Sequence, residues 1–243
     1  IETEAGNGSG FSDSEYILAG GRIETNRQQL FDDVDVIIKV KEPLPEEWAF
    51  FREGQILFSY LHLAAFPELT KFLKDKKICA LAFETFSQNG SLPLLKPMSQ
   101  IAGRVGMQAG LQLLQKQFGG KGILASGMPG VRPAKVHVVG AGNVGCQAID
   151  VALGLGAKVL VYDISASSLE RAQSLFANKI ETELYSSHAF FQDLSSADVI
   201  VGAVLIPGGR APIIIPENQY DKLNKKTVLV DIAVDQGGCF AYS

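Results

Sequence analysis

KVHVVGAGNVGCQAID, residues 135–150, decides the fold. It opens with a β-branched run, turns on glycine, and continues in small and apolar residues that suit a helix. Gly140, Ala141, Gly142, Asn143, Val144 and Gly145 fit the spacing GxGxxG, with a predicted strand directly before and a predicted helix directly after. In that context the first glycine permits a tight turn, the second lets a pyrophosphate approach the backbone, and the third lets helix and strand pack closely. The N–H groups that open the helix then face the phosphates. Asp163 closes the next apolar run, KVLVYD, where an acidic residue binds a ribose 2′-hydroxyl. No arginine follows it immediately, which favours NAD over NADP.

Around this stretch the βα rhythm continues. SASSLERAQSLFAN reads as the next helix, and ADVIVGAV and KTVLVDIAVD as further strands. Upstream, VDVIIKVKEP (34–43) is a β-branched run closed by Pro43 and is predicted to be a buried strand, followed by a strand in GQILFSYLHL, a helix in PELTKFLKDK and a strand in KICALAFE. KPMSQIAGRVGMQAGLQLLQKQFGG (96–120) reads as one long helix with Ser99 as N-cap candidate, and KGILASGMPGVRPA after it as a domain hinge. The expectation is an α/β protein of two βαβ domains. Residues 1–96 form a substrate domain; residues 97–243 form a connecting helix plus a doubly wound parallel sheet of Rossmann type.

The 243 residues are 47% hydrophobic and 20% charged, a globular balance, and the formal net charge of −4 with no basic block argues against nucleic acid or an anionic membrane as partner. Three cysteines, Cys79, Cys146 and Cys239, lie outside any CxxC pair, so reduced thiols are expected, with no disulfide framework and no metal site. No apolar run reaches the length of a membrane span and no signal peptide opens the chain, so a cytoplasmic location is expected. The chain opens at Ile1 in what reads as the end of a strand and stops just after a strand-and-loop pattern, so a piece of a longer protein is expected.

The motifs AGNGSGFSDSEY, IIKVKEP, YLHLA, PLLKPMSQIAGR, VVGAGNVG, GAVLIPGGRAP and VDIAVDQGGCF occur in this order along nearly the whole chain. Together they resemble the L-alanine dehydrogenase family. The resemblance implies NAD-dependent interconversion of L-alanine with pyruvate and ammonia, a substrate domain and a Rossmann domain with a cleft between them, and a homo-oligomer, often a hexamer. It implies that Lys41 contacts the substrate carboxylate or carbonyl, that His62 binds substrate and is the catalytic histidine, and that Asp235 lies beside the nicotinamide and acts in catalysis. It implies cofactor contacts from Ser99, Asp163, Ala203, Val204 and Leu205, beside the glycine loop. Family members also carry an earlier arginine segment that grips the carboxylate, and closing helices. Residues 1–243 alone are therefore expected to bind NAD and to turn over alanine poorly.

The chemistry suits these residue types. A lysine offers a fixed positive charge to a carboxylate or oxyanion. Imidazole can move protons at a carbinolamine oxygen near neutral pH. A carboxylate can orient ammonia or water, or steady a cationic iminium. Each residue also has a structural reading: Lys41 as a solvated charge at a strand end, Asp235 as a cap for the turn before Gly237 and Gly238, His62 as a core histidine. His137 is expected in the core, His188 at the surface, and Cys239 as packing. Other readings of the whole are an NAD(H)-binding module of a proton-translocating transhydrogenase, a saccharopine- or lysine-type dehydrogenase, or an inactive fragment of the dehydrogenase; YLHLA and VDIAVDQGG favour alanine dehydrogenase over the transhydrogenase.

Overall fold

The computed structural model describes residues 1–206 and 208–243. The chain forms two compact units, Ile1–Phe86 and Ser87–Ser243.

In the first unit, helices α1 (Asp13–Leu18) and α2 (Arg27–Asp33) precede strand β1 (Val36–Ile38). Then follow β2 (Ile56–Ser59), α3 (Pro67–Asp75) and β3 (Cys79–Ala82). The strands pair in parallel in the order β1-β2-β3, with Ile37, Leu57 and Ala80 in register. Alternation sends that row into a core built with Phe31, Phe51, Leu61, Leu69 and Leu73. Val36, Ile38 and Leu81 fall on the opposite, exposed face. The segment 34–43 is therefore not the buried strand its β-branched run predicts: only residues 36–38 are strand, and they form a sheet edge. Continuous hydrophobicity marks a strand covered on both faces, whereas within residues 1–86 the second face is covered only in part, by Phe83 and Phe86 against Phe58, and Val36 and Ile38 stay exposed.

In the second unit, α4 (Leu95–Leu113) is followed by β4 (Lys135–Val139), α5 (Asn143–Gly154), β5 (Lys158–Asp163), α6 (Ala166–Leu175), β6 (Glu181–Leu184), α7 (Ser187–Asp193), β7 (Val199–Gly202) and β8 (Val228–Asp231). All pairings are parallel and the order is β6-β5-β4-β7-β8. Numbered within the unit this is 3-2-1-4-5, a doubly wound sheet whose order reverses between β4 and β7. The valines at 136 and 138, 159 and 161, 199 and 201 face one core with α4 and α5. Val139, Tyr162 and Ile200 face a second core with Phe190 and Phe240.

Helix α4 is shorter than predicted and Ser99 does not cap it: the helix begins at Leu95, its N-cap position is Leu94, and Ser99 is buried inside the second turn. The reason lies in spacing. Residues 99, 103, 106 and 110 share one helix face, and Gly103, Gly106 and Gly110 let that face lie close against its neighbours. A Cβ on Gly103 would collide with the Val144 carbonyl, and one on Gly110 would lie 2.7 Å from Val230. This packing draws α4 into the second unit, so the units divide ahead of the expected 96/97 boundary.

The Gly- and Pro-rich segment 121–134 is not a hinge between units, because it lies wholly inside the second. It is tied down by charge. Arg132 makes a two-pronged contact with Asp198 at 2.6 and 3.0 Å, and Lys121 reaches the same carboxylate at 3.3 Å. Asp198 is almost fully buried. Burial alone would raise its carboxyl, but Arg132, the Lys135 N–H and Lys121 outweigh that and hold it below the usual carboxylate range.

Candidate functional site

The glycine loop leaves β4 where the sheet order reverses, the place where ligands bind in such sheets. Its glycines answer to different constraints. Gly140 has φ +109°, and a Cβ there would collide with the Ala203 carbonyl; one on Gly145 would collide with the Gly140 carbonyl. A Cβ on Gly142, the N-cap of α5, would meet nothing within 4 Å. So Gly140 and Gly145 are small because the protein is close, whereas Gly142 is small beside open space. No side chain caps α5 at Gly142, which leaves its first N–H groups toward that space.

Asp163, at the last position of β5, is half-buried beside this loop. Its Oδ2 accepts the Ala141 N–H at 2.7 Å and its Oδ1 accepts the Ser165 N–H at 2.8 Å. A carboxylate has about four acceptor positions, so two sugar hydroxyls could still bind. Cys146, one residue past the loop, has its thiol pushed up by burial and by the nearby Asp163 charge, against Arg171, which makes it a poor nucleophile.

An open cavity of about 80 Å³ adjoins the loop, lined by Leu92 ahead of α4 and Lys96 and Ser99 at its start, by Gly142, Asn143 and Val144, and by Ala203 and Leu205 after β7. Five expected cofactor residues (Ser99, Asn143, Val144, Ala203, Leu205) thus meet around Gly142. Val204 turns away and packs against the second core. Residue 207, within GAVLIPGGRAP, lies outside the described residues. Asp235 is exposed, in the 3₁₀ turn Val234–Gln236 after β8. Beside the turn the Asp231 carboxylate accepts the N–H groups of Ala233 at 2.9 Å and Cys239 at 2.7 Å. Burial would raise the Asp231 carboxyl, but hydrogen bonds from Ser243, Cys239 and Ala233 hold it low. Cys239 is buried beside Gly202, whose missing Cβ makes room for the sulfur; burial and the Asp231 charge push its thiol far up.

In the first unit, three consecutive strand ends bring chemistry together. Lys41 lies three residues past β1, His62 three past β2, and Glu84 two past β3. The Lys41 carbonyl accepts the buried Ser59 hydroxyl at 2.8 Å, and its side chain is exposed. The loop beyond is fixed by Glu47, which takes the Lys39 ammonium at 2.5 Å and the Leu44 N–H at 2.6 Å. His62 is neither strand nor core: β2 stops at Ser59, and the partly exposed His62 has φ +45°. For a residue with a Cβ that conformation costs roughly 1–2 kcal/mol. The His62 N–H donates to Glu84 Oε1 at 2.7 Å, and its ring lies parallel to that of Tyr60 at 6.3 Å. Burial, then the Glu84 charge, raises the Tyr60 phenol. Sequence reasoning missed Glu84; two residues past a predicted strand, beside a histidine past its neighbour, is the signal that could have found it.

His137 is core, as expected, with Nε2 at 3.2 Å from Ser196 Oγ and a buried Nδ1 that has no partner. His188 is exposed.

The sheet order and the glycine loop at its reversal define a Rossmann-type nucleotide-binding α/β protein with a second α/β unit. The chain belongs to the alanine dehydrogenase/PNT family: the model of that family's N-terminal domain matches residues 1–102 and that of its C-terminal domain matches residues 106–243. It is similar to an alanine dehydrogenase of Methanococcus maripaludis, 48% identical over 98% of this chain and 64% of that protein. It is also similar to the solved structure of an L-alanine dehydrogenase, with TM-score 0.86 and 44% identity over 99% of this chain and 66% of that one. A transhydrogenase structure from Sinorhizobium meliloti aligns less well, with TM-score 0.74 and 26% identity over 99% of this chain and 70% of that one. The chain thus spans a little under two thirds of the length of the alanine dehydrogenases it matches. Among the described residues, no helix is long and apolar enough to cross a membrane.

Proposed function

We propose that the protein carrying these residues is a cytoplasmic NAD-dependent alanine dehydrogenase, converting L-alanine and water to pyruvate and ammonia, and working as a homo-oligomer. The observation that carries this reading is the delivery of Lys41 and His62 from neighbouring strand ends in a chain 44–48% identical to alanine dehydrogenases. The higher identity and TM-score favour it over the transhydrogenase reading.

In the proposed mechanism Gly142, the first N–H groups of α5 and Asp163 hold the pyrophosphate and a ribose, while Ser99, Asn143, Ala203 and Leu205 line the space beside them. NAD, when bound, supplies the acceptor for the hydride that leaves alanine Cα. The amino nitrogen loses a proton and becomes an iminium. Lys41 steadies the carboxylate and the oxygen that develops. Water adds to the iminium carbon as His62 takes one of its protons; that proton then passes to the carbinolamine nitrogen, the C–N bond breaks to release ammonia, and the hydroxyl proton returns to His62 as the carbonyl forms. Asp235 orients water or ammonia and balances the cationic iminium.

The deciding experiment is NADH oxidation by the full-length protein with pyruvate and ammonium. Clear turnover supports the reading. A transhydrogenase module gives none, and a lysine-type dehydrogenase requires a different oxo acid. His62→Ala is expected to lower turnover about 10²–10⁴-fold with NAD affinity within twofold. A stable His62→Ala protein with near-normal turnover would remove the histidine from the mechanism.

A further inference from the structure

The exit from β2 is built in a way that no strand exit needs. Two consecutive backbone N–H groups, of Leu61 and His62, converge on one carboxylate. Leu61 reaches both oxygens of Glu84 at 3.2 Å, and His62 reaches Oε1 at 2.7 Å. Successive amides can converge this way when the second residue is left-handed, forming a concavity that binds an anion. His62, at φ +45°, is that residue. The anion is supplied by the chain itself, from the 3₁₀ turn Phe83–Thr85, and Glu84 is buried.

A non-glycine residue stays at positive φ only where its surroundings over-determine it. Here the surroundings are the Glu84 carboxylate on the backbone side and the Tyr60 ring, 12° from parallel, on the side-chain side. Removing the carboxylate leaves two amides without their acceptor, and the torsion then rests on the Tyr60 ring and on the Ala65 N–H that the His62 carbonyl accepts at 2.8 Å. His62 would then relax toward negative φ, where most residues lie, and the Cα–Cβ bond that aims the imidazole would swing with it.

We propose that Glu84 is a positioning residue for the reaction: it binds the Leu61 and His62 amides, holds His62 left-handed, and so aims the imidazole. This rests on the reading of His62 as the catalytic acid–base. Glu84 acts through the backbone of another residue.

The test is a double-mutant cycle in the full-length protein. Glu84→Gln keeps the shape and one acceptor oxygen but sets an NH₂ group against the converging amides. It is expected to lower kcat with pyruvate and ammonium about 10- to 100-fold, the scale of an ångström-sized misplacement of a reacting group, with KM for NADH within twofold. In a His62→Ala background the same change is expected to move kcat less than twofold, because the group it aims is gone. Glu84→Asp, one methylene short but still charged, is expected to fall between Glu84→Gln and the parent. A folded Glu84→Gln protein with parental kcat overturns the inference, as does an equal loss in both backgrounds, which marks a general structural role. If Glu84→Gln does not fold, Glu84→Asp is carried through the same two backgrounds and read the same way. Loss in His62→Ala with none in Glu84→Gln overturns this inference alone. Turnover retained in His62→Ala overturns the acid–base reading and this inference with it.

Discussion

The Asp163 carboxylate accepts the N–H of Ala141 at 2.7 Å, tying the end of β5 to the first peptide inside the glycine loop. One side chain therefore shapes the loop, and in the proposed function the same side chain meets a ribose. Asp163→Ala is expected to raise the Kd for NAD at least about tenfold and to cost roughly 1–3 kcal/mol of stability, since it removes a charged acceptor from two amides. Calorimetric titration and a urea midpoint on one preparation measure the two effects. An unchanged Kd would take the dinucleotide out of this site.

Gly142 and Gly145 separate binding from folding. Alanine at 145 would drive its methyl into the Gly140 carbonyl, whereas alanine at 142 would meet no protein atom within 4 Å. Gly145→Ala is expected to destabilise the protein by about 3 kcal/mol or more. Gly142→Ala should melt at the parental temperature and still lose at least about tenfold in NAD affinity, because its methyl occupies the phosphate approach. Parental affinity in Gly142→Ala would show that the phosphates lie elsewhere.

Burial pulls the His137 imidazole from 6.5 down to about 4, against the attraction of Asp193 and Asp198. Between those values the unfolded chain binds a proton that the folded chain refuses, so stability is lost as pH falls through this window. The loss from pH 7 to pH 5 is about 2 kcal/mol for this group. His137→Leu, which also removes the unpartnered Nδ1, is expected to lose about that much less over the same interval. Urea midpoints at both pH values for both proteins decide it.

Asp198 sits with its side chain 2% exposed between Arg132 and Lys121, and its carboxyl is held below the ordinary value. A depressed carboxyl contributes stability that is complete above its unfolded value, about 3.9, and is lost as pH falls through the lower folded value. Asp198→Asn is expected to cost about 2–3 kcal/mol at pH 7, less than a fully buried pair because Arg132 is half exposed. The difference from the parent should shrink in acid. Limited proteolysis should then cut within residues 121–134, which this carboxylate anchors.

The glycine loop and the aspartate beside it were legible in the sequence because their parts are local. Loop, strand and helix follow one another within residues 135–154, and Asp163 ends the next strand. The stripe at 99, 103, 106 and 110 was equally open to reading from helical spacing, and it explains both why Ser99 is buried and why it does not cap α4. The edge position of β1 was not legible, since a β-branched run looks the same whether one face of its sheet is covered or two.

By itself the sequence determined the α/β class and the glycine loop with the aspartate that ends the next strand, because each depends on periodicity or spacing over a few residues; the roles of Lys41, His62 and Asp235 came from the family resemblance alone. Only the tertiary structure decided that α4 packs with the second unit, that 121–134 is an anchored segment, and that the Asp231 carboxylate takes the Ala233 and Cys239 amides beside the turn after β8. It alone decided that His62 sits left-handed over the carboxylate of Glu84. The reason is that 22 residues separate those two in the chain. Their meeting depends on the parallel register of β2 and β3, which pairs Ser59 with Ala82 and so brings the two exits side by side, and register is a property of the packed sheet.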